Sequence, residues 1–193
     1  LREKFKEFFK SKNHAIEKSS SLIPIDDPSL LFTTAGMLQF KPYYAGIKKA
    51  PYSRVATIQK CFRLSDLENI GKTARHHTFF EMLGNWSLGD YFKDESISWS
   101  FEFLTEHLNI PVERLAVTVF AGNDLIPFDE VSYNKWLSLG IKKERIAKTV
   151  EDNFWIAGTS GPCGPDTEIF YFRSNDEIPE NFDPEDERWV EIW

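Results

Sequence analysis

Residues 59–85, QKCFRLSDLENIGKTARHHTFFEMLGN, crowd together the side chains that bind phosphate and stack on bases. Arg63 closes an apolar run over 55–62, and Arg75, His76 and His77 lead into Phe79, Phe80, Glu81, Met82 and Leu83. A guanidinium makes bidentate hydrogen bonds to a phosphate, and a phenyl ring offers a stacking face. Side chains alternate along a strand, so Arg75, His77, Phe79 and Glu81 would share one side. With Arg63 on that side too, an arginine, an imidazole, a ring and a carboxylate line one floor. Charge is normally kept off core faces, so such a floor is either solvated or holds a polar ligand. A solvent-facing hairpin decorated with charge fits the same residues.

The elements that must carry this floor are two strands, over 55–62 and from about 74, joined by a polar turn over 65–72 containing Asn69 and Gly71. A turn this short requires antiparallel strands. Upstream, Leu1, Phe5, Phe8 and Phe9 recur at helical spacing and predict an amphipathic helix ending near Asn13. Leu22, Ile23 and Pro24 read as a short extended run, the residues 26–28 as a turn, and 30–34 as a strand. The small residues around Gly36 let backbone approach a ligand, with Met37 beside them.

Downstream, 84–89 reads as a glycine-punctuated loop and Asp94 as the N-cap of a helix with an Ile97, Phe101, Leu104 and Leu108 stripe. The run LAVTVF over 115–120 is a buried strand, followed by a helix around 129–139 closed by Gly140. Tight strand pairs with helices packed on them give an α+β fold, mainly antiparallel, and the length suits one domain over residues 1–193.

A second block, DNFWIAGTSGPCGPD, holds three glycines and two prolines in ten residues, followed by a strand over 168–172. It lacks the Gly-Lys-Ser/Thr of a Walker loop and on its own reads as a structural turn. Cys61, His76, His77 and Cys163 are ligand types without paired spacing, so no metal site is expected. Two distant cysteines argue for no disulfide framework and a cytoplasmic location, and no apolar run is long enough to span a membrane. The net charge of −7 is matched by the seven acids of residues 174–187, so it says little about the remaining surface.

Phe62-Arg63, a loop and Arg75-His76-His77-Thr78-Phe79 resemble motif 2 of the class II aminoacyl-tRNA synthetases. The blocks DDPSLLFTTAGMLQFKP, TARHHTFFEMLGNWSLGDYFK and DNFWIAGTSGPCGPDTEIFY together resemble the alanyl-tRNA synthetase catalytic domain, in the family's order. The first helix and the proline-bearing run after it resemble motif 1, a dimer element in many class II enzymes; the oligomeric state stays open. The resemblance implies ATP with Mg2+, L-alanine and tRNA(Ala) as partners. It implies Arg63 as the catalytic residue on the α-phosphate, and His77, Trp155, Ile192 and Trp193 as further ATP contacts. Met37, Phe79, Glu81 and Gly161 are implied for the substrate pocket. The family's EIW segment continues to an Asn, an Asp and the motif 3 arginine, so this chain is expected to be an incomplete catalytic domain, truncated before motif 3. A Gly-Gly-Lys-His-like insertion after the motif 2 arginine is replaced here by Leu64-Ser65-Asp66. A non-catalytic synthetase-like module that binds tRNA or a protein is the alternative.

Overall fold

The computed structural model describes residues 1–24, 30–64, 67–73, 76–156 and 161–193. They divide into two compact units, Leu1–Tyr91 and Phe92–Trp193. The turn expected over 26–28, together with Ser65, Asp66, Arg75 and residues 157–160, lies outside the described residues.

The first unit begins with helix α1 (Arg2–Ser11), which buries Phe5, Phe8 and Phe9 as its spacing predicts, while Leu1 stays exposed ahead of it. Asn13 takes a left-handed φ of 64° and turns the chain into His14. The His14 Nδ1–H donates to the Phe9 carbonyl, so Nε2 accepts from the Tyr91 hydroxyl, which in turn accepts from Asn85 Nδ2. A short strand β1 (Ala15–Glu17) then runs parallel to β2 (Arg54–Phe62), which pairs antiparallel with β3 (Phe79–Ser87). The order is β1-β2-β3.

Two expectations differ here. Residues 22–24 and 30–34 are bends and coil, not strands. β1 pairs with positions 55–57 of β2, and beyond it 30–34 makes isolated backbone bonds, Thr33 N–H to Leu22 O and Phe62 N–H to Thr33 O. The 3-10 turn Gly36–Phe40 and helix α2 (Lys41–Tyr44) follow. β3 is also displaced from its expected range. It starts at Phe79 and carries Gly84, Asn85, Trp86 and Ser87 as paired strand residues, because all nine positions of β2 find partners.

In the second unit the sheet order is β5-β4-β8-β9, from β4 (Leu115–Phe120), β5 (Ile146–Thr149), β8 (Thr167–Phe172) and β9 (Trp189–Glu191). All six residues of β4 are buried. One face presents Leu115, Val117, Val119 and Ile169 to Ile97, Leu104 and Trp136 of the helical layer. The other presents Ala116, Phe170 and Phe172 to Phe182 and Trp189. Helix α3 (Lys93–Glu102) opens after Phe92, so Asp94 lies inside its first turn and pairs with Lys135 instead of capping it. Helix α4 (Glu130–Ser138) is capped by Asp129, whose carboxylate accepts from Ser132 N–H, and Gly140 follows it at φ 92°. A small hairpin joins β6 (Phe154–Ile156) to β7 (Cys163–Pro165).

Four of the strand pairs are antiparallel and two parallel, which gives the expected α+β class, distributed over three sheets among the described residues. No helix of the described residues is long and apolar enough to cross a membrane.

The tightest packing in the first unit surrounds Trp86. A Cβ placed on Gly84 would lie 2.2 Å from its ring, and one on Gly36 would lie 2.7 Å from it. Gly84→Ala is expected to destabilise the chain by about 1–3 kcal/mol through overpacking, read as a lower melting temperature. Combining it with Trp86→Leu should recover much of that loss, because the two residues occupy one space. Additive losses in the double variant would contradict the assignment.

Candidate active site

Directly opposed residues of an antiparallel pair point to the same face. The observed register puts Val55, Thr57, Gln59 and Cys61 with Trp86, Gly84, Met82 and Phe80 on one face of the first sheet. Ile58, Lys60 and Phe62 lie with Leu83, Glu81 and Phe79 on the other. Arg63 follows the first set. Its Nε–H donates to the Thr34 carbonyl at 2.9 Å, and its guanidinium lies 5.3 Å from the centroid of the Phe80 ring.

The four-residue floor expected from the sequence is therefore not formed. Phe79 is exposed and Glu81 is engaged by Arg2 of α1 at 2.5 Å, both on the face away from Arg63. His77 precedes the strand and is exposed, and His76 is held by Thr73 at 2.5 Å. The error was one residue of parity, which moves every side chain of a strand to the other face.

The face that holds Arg63 also gathers the 3-10 turn Gly36–Phe40. Gly36 N–H donates to Met82 Sδ at 3.2 Å, and Phe40 packs on Trp86 with ring centroids 5.0 Å apart. Met37 is half-buried on the same 3-10 turn. Gln59, fully buried, holds the neighbouring backbone. Its Oε1 accepts from Ser20 N–H, the Ser20 hydroxyl and Gln39 Nε2, and its Nε2 donates to the carbonyls of Ser20 and Lys60. Among the described residues no carboxylate pairs with Arg63, so a carbonyl orients the guanidinium without neutralising it.

In the second unit, Trp155 stands opposite Gly164 in the β6–β7 hairpin, with the indole nitrogen 4.0 Å from where a Cβ on Gly164 would sit. Gly161 is exposed at the start of the returning arm. The glycine-proline segment is thus in part a paired strand, not wholly irregular loop. Ile192 is exposed just past β9, whereas Trp193 is half-buried, 6.1 Å from Phe103 and packed on the core. Trp193 is chiefly a packing residue of this unit.

A polar network escaped the sequence reading. Asn153, with no exposed surface, donates to Thr118 Oγ1 and Asp166 Oδ1 and accepts from the Thr149 hydroxyl. Thr118 also donates to Glu168, which is half-buried on β8. Burial, with Glu191 close by, pushes the Glu168 carboxyl up to about 7. Burial raises Asp166 too, against the hydrogen bond from Asn153. The available signal was polar residues inside apolar strands, Thr118 in LAVTVF and Glu168 in TEIFYF. Among the described residues no group of three or more His, Cys, Asp or Glu side chains is arranged to hold a metal ion.

Residues 1–193 match the family described as tRNA synthetases class II (A), and the chain belongs to that family. Among curated proteins it is 51% identical to the alanine–tRNA ligase of Neisseria meningitidis serogroup C (strain 053442), over all of this chain and 24% of that protein. It is 50% identical to the alanine–tRNA ligases of Neisseria gonorrhoeae (strain ATCC 700825 / FA 1090) and Francisella tularensis subsp. tularensis (strain WY96-3418), over all of this chain and 24% and 23% of those proteins. The chain therefore spans about a quarter of the length of these relatives. The first alignment covers 211 residues, 18 more than the 193 of this chain, so the relative carries positions with no counterpart here.

The raised Glu168 pKa gives a signed prediction. The unfolded carboxyl ionises near 4.5 and the folded one near 7, so its favourable contribution is complete below 4.5 and lost as pH rises through 7. Glu168→Gln keeps an acceptor for Thr118 and removes the charge. It should stabilise the chain at pH 8 by roughly 1–2 kcal/mol after allowance for solvent screening, and should leave it unchanged at pH 4.5. Thermal melts at both pH values test this, and an equal shift at both would refute the assignment.

Proposed function

We propose that residues 1–193 form part of one catalytic domain of an alanine–tRNA ligase, incomplete at its C-terminal end. In this reading the enzyme activates L-alanine with ATP and passes the alanyl group to the 3′ end of tRNA(Ala). The observation that carries it is the identity of about 50%, along the whole chain, to proteins named alanine–tRNA ligase. The same observation disfavours a non-catalytic module.

The alanine carboxylate attacks the α-phosphorus of ATP, a bond forms from its oxygen to phosphorus, and pyrophosphate leaves with the electron pair of the broken P–O bond. The carboxylate is already ionised, so no general base is needed. Catalysis then consists of positioning and of stabilising charge that grows on the α-phosphate oxygens. Arg63 is the proposed donor to those oxygens, supported by its exposed guanidinium and by the Thr34 carbonyl that fixes Nε. Phe80, on the same face, replaces Phe79 as the proposed stacking surface, and Met37 and Met82 are proposed to line the site. His77, exposed ahead of β3, is proposed to contact the phosphates. In the second unit Trp155 and Gly161 are proposed to shape the alanine pocket and Ile192 to contact the nucleotide, with Trp193 behind it as support.

Mg2+ fits poorly as a protein-held ion. Glu81, the carboxylate suggested by the sequence, is paired with Arg2, and no other set of ligands stands ready among the described residues. A magnesium ion would arrive on the ATP phosphates, and no step here depends on protein ligands to it.

The test is alanine-dependent exchange of labelled pyrophosphate into ATP by the full-length protein. Arg63→Ala should lower exchange by more than tenfold, the scale of losing one transition-state donor. Phe80→Leu should raise the KM for ATP more than Phe79→Leu does. Exchange within twofold of wild type in Arg63→Ala would sink the phosphate role, and no exchange with any amino acid would sink the enzyme reading.

A further inference from the structure

Residues 28–65 contain six basic side chains, Lys41, Lys48, Lys49, Arg54, Lys60 and Arg63, and no acidic one, within a chain of net charge −7. Part of that charge gathers beside an open groove of about 500 Å3 lined by Tyr43, Tyr44, Gly46, Lys48, Lys49 and Leu88, among others. Lys48 and Lys49 are exposed, and among the described residues neither pairs with a carboxylate. The nearest acid along the chain past the groove, Asp90, is held by Arg54 at 2.8 Å and by the Ser53 hydroxyl at 2.7 Å, so its charge is already matched.

The groove floor is firm. Pro42 O accepts from both Ile47 N–H and Lys48 N–H, which fixes the loop that carries the lysines. Tyr43 is wedged between Phe40 and Tyr52, with centroids 6.5 and 6.4 Å away. Tyr44 is 39% exposed, with its hydroxyl 3.4 Å from the Ser87 carbonyl. Gly46 and Gly89 have left-handed φ values of 69° and 81°, and a Cβ on either would meet nothing within 4 Å, so the groove is open above them.

A wide, lysine-edged groove with a half-exposed ring does not suit a small apolar ligand, which needs enclosure. It suits a polyanion whose phosphates meet the lysines while a base stacks on the ring. We propose that this groove is a contact for an unpaired RNA strand, with Lys48 and Lys49 on its phosphates and Tyr44 under a base. The charge complementarity and the ring are properties of this chain; only the identity of the RNA, the tRNA substrate, rests on the function proposed above.

The experiment measures binding of the full-length protein to a tRNA(Ala) transcript across salt concentrations, with alanine-dependent pyrophosphate exchange in parallel. Lys48→Gln/Lys49→Gln should weaken binding on the order of tenfold at low salt and flatten the slope of log K against log salt by about 1.4, from two lost phosphate contacts. Exchange should be unchanged. Tyr44→Leu should weaken binding at least about fivefold, while Tyr44→Phe, which keeps the ring, should not. An unpaired oligoribonucleotide should compete for the groove and poly-glutamate of equal charge should not. An unchanged salt slope in the double lysine variant overturns the proposal, as does equal competition by poly-glutamate, which would mark the groove as a dock for acidic protein. Wild-type protein that shows no exchange, yet loses RNA affinity in these variants, would overturn the enzyme reading and leave the groove standing.

Discussion

The first unit depends on one close approach, the Trp86 ring lying over two glycines. Gly84 is on the strand beside it and Gly36 opens the 3-10 turn that crosses the sheet, and neither position has room for a Cβ. Only with both side chains missing can the turn come down far enough for Gly36 N–H to reach Met82 sulfur. That approach also brings in Thr34, two residues earlier, whose carbonyl sets the guanidinium of Arg63. The glycines serve here through close packing, not through unusual backbone angles. The placement of Arg63, an exposed cation on this face, follows from a steric fact several residues away.

Register supplies the second constraint. Nine consecutive pairs from Arg54↔Ser87 to Phe62↔Phe79 fix which residues of the hairpin look toward the turn. Because the side-chain period of a strand is two, no intermediate arrangement exists. Phe80 and Met82 face the turn, and Phe79 and Glu81 face α1. Gln59 strengthens this choice, since five hydrogen bonds to its amide satisfy a polar side chain with no exposed surface. A slip by one residue would bury Lys60 in its place and leave those partners unsatisfied.

What the sequence made legible follows the strength of local signals. Phe5, Phe8 and Phe9 marked α1, LAVTVF marked β4, and Asp129 with Gly140 bracketed α4, because each is a local propensity or cap that tertiary context did not overturn. β1 was missed because three residues carry too little pattern, and the strand expected over 30–34 is coil that bonds β2 at Phe62. Reading 84–89 as a loop gave the glycines their usual meaning as turn residues, whereas Gly84 is required by the neighbouring indole. Arg63 stood out through its resemblance to a motif, but its face could not be read, since parity is decided by long-range pairing. The Asn153, Thr118 and Glu168 network joins residues up to 50 apart in sequence, and no window along the chain contains it.

The environment of Arg63 suits the reaction proposed for it, which asks for charge and not for proton transfer. A carboxylate partner would orient a guanidinium more strongly than a carbonyl, but would cancel much of the field it presents to a phosphate. The Thr34 carbonyl spends one donor, Nε–H, on orientation, and the Phe80 ring supports the guanidinium plane by a contact that leaves its charge intact. The remaining N–H groups belong to an exposed side chain. In the proposed role, a donor fixed in this way would lose little freedom as an oxyanion formed and would keep its full charge for the negative charge that accumulates, which is the condition for stabilising a transition state more than a ground state.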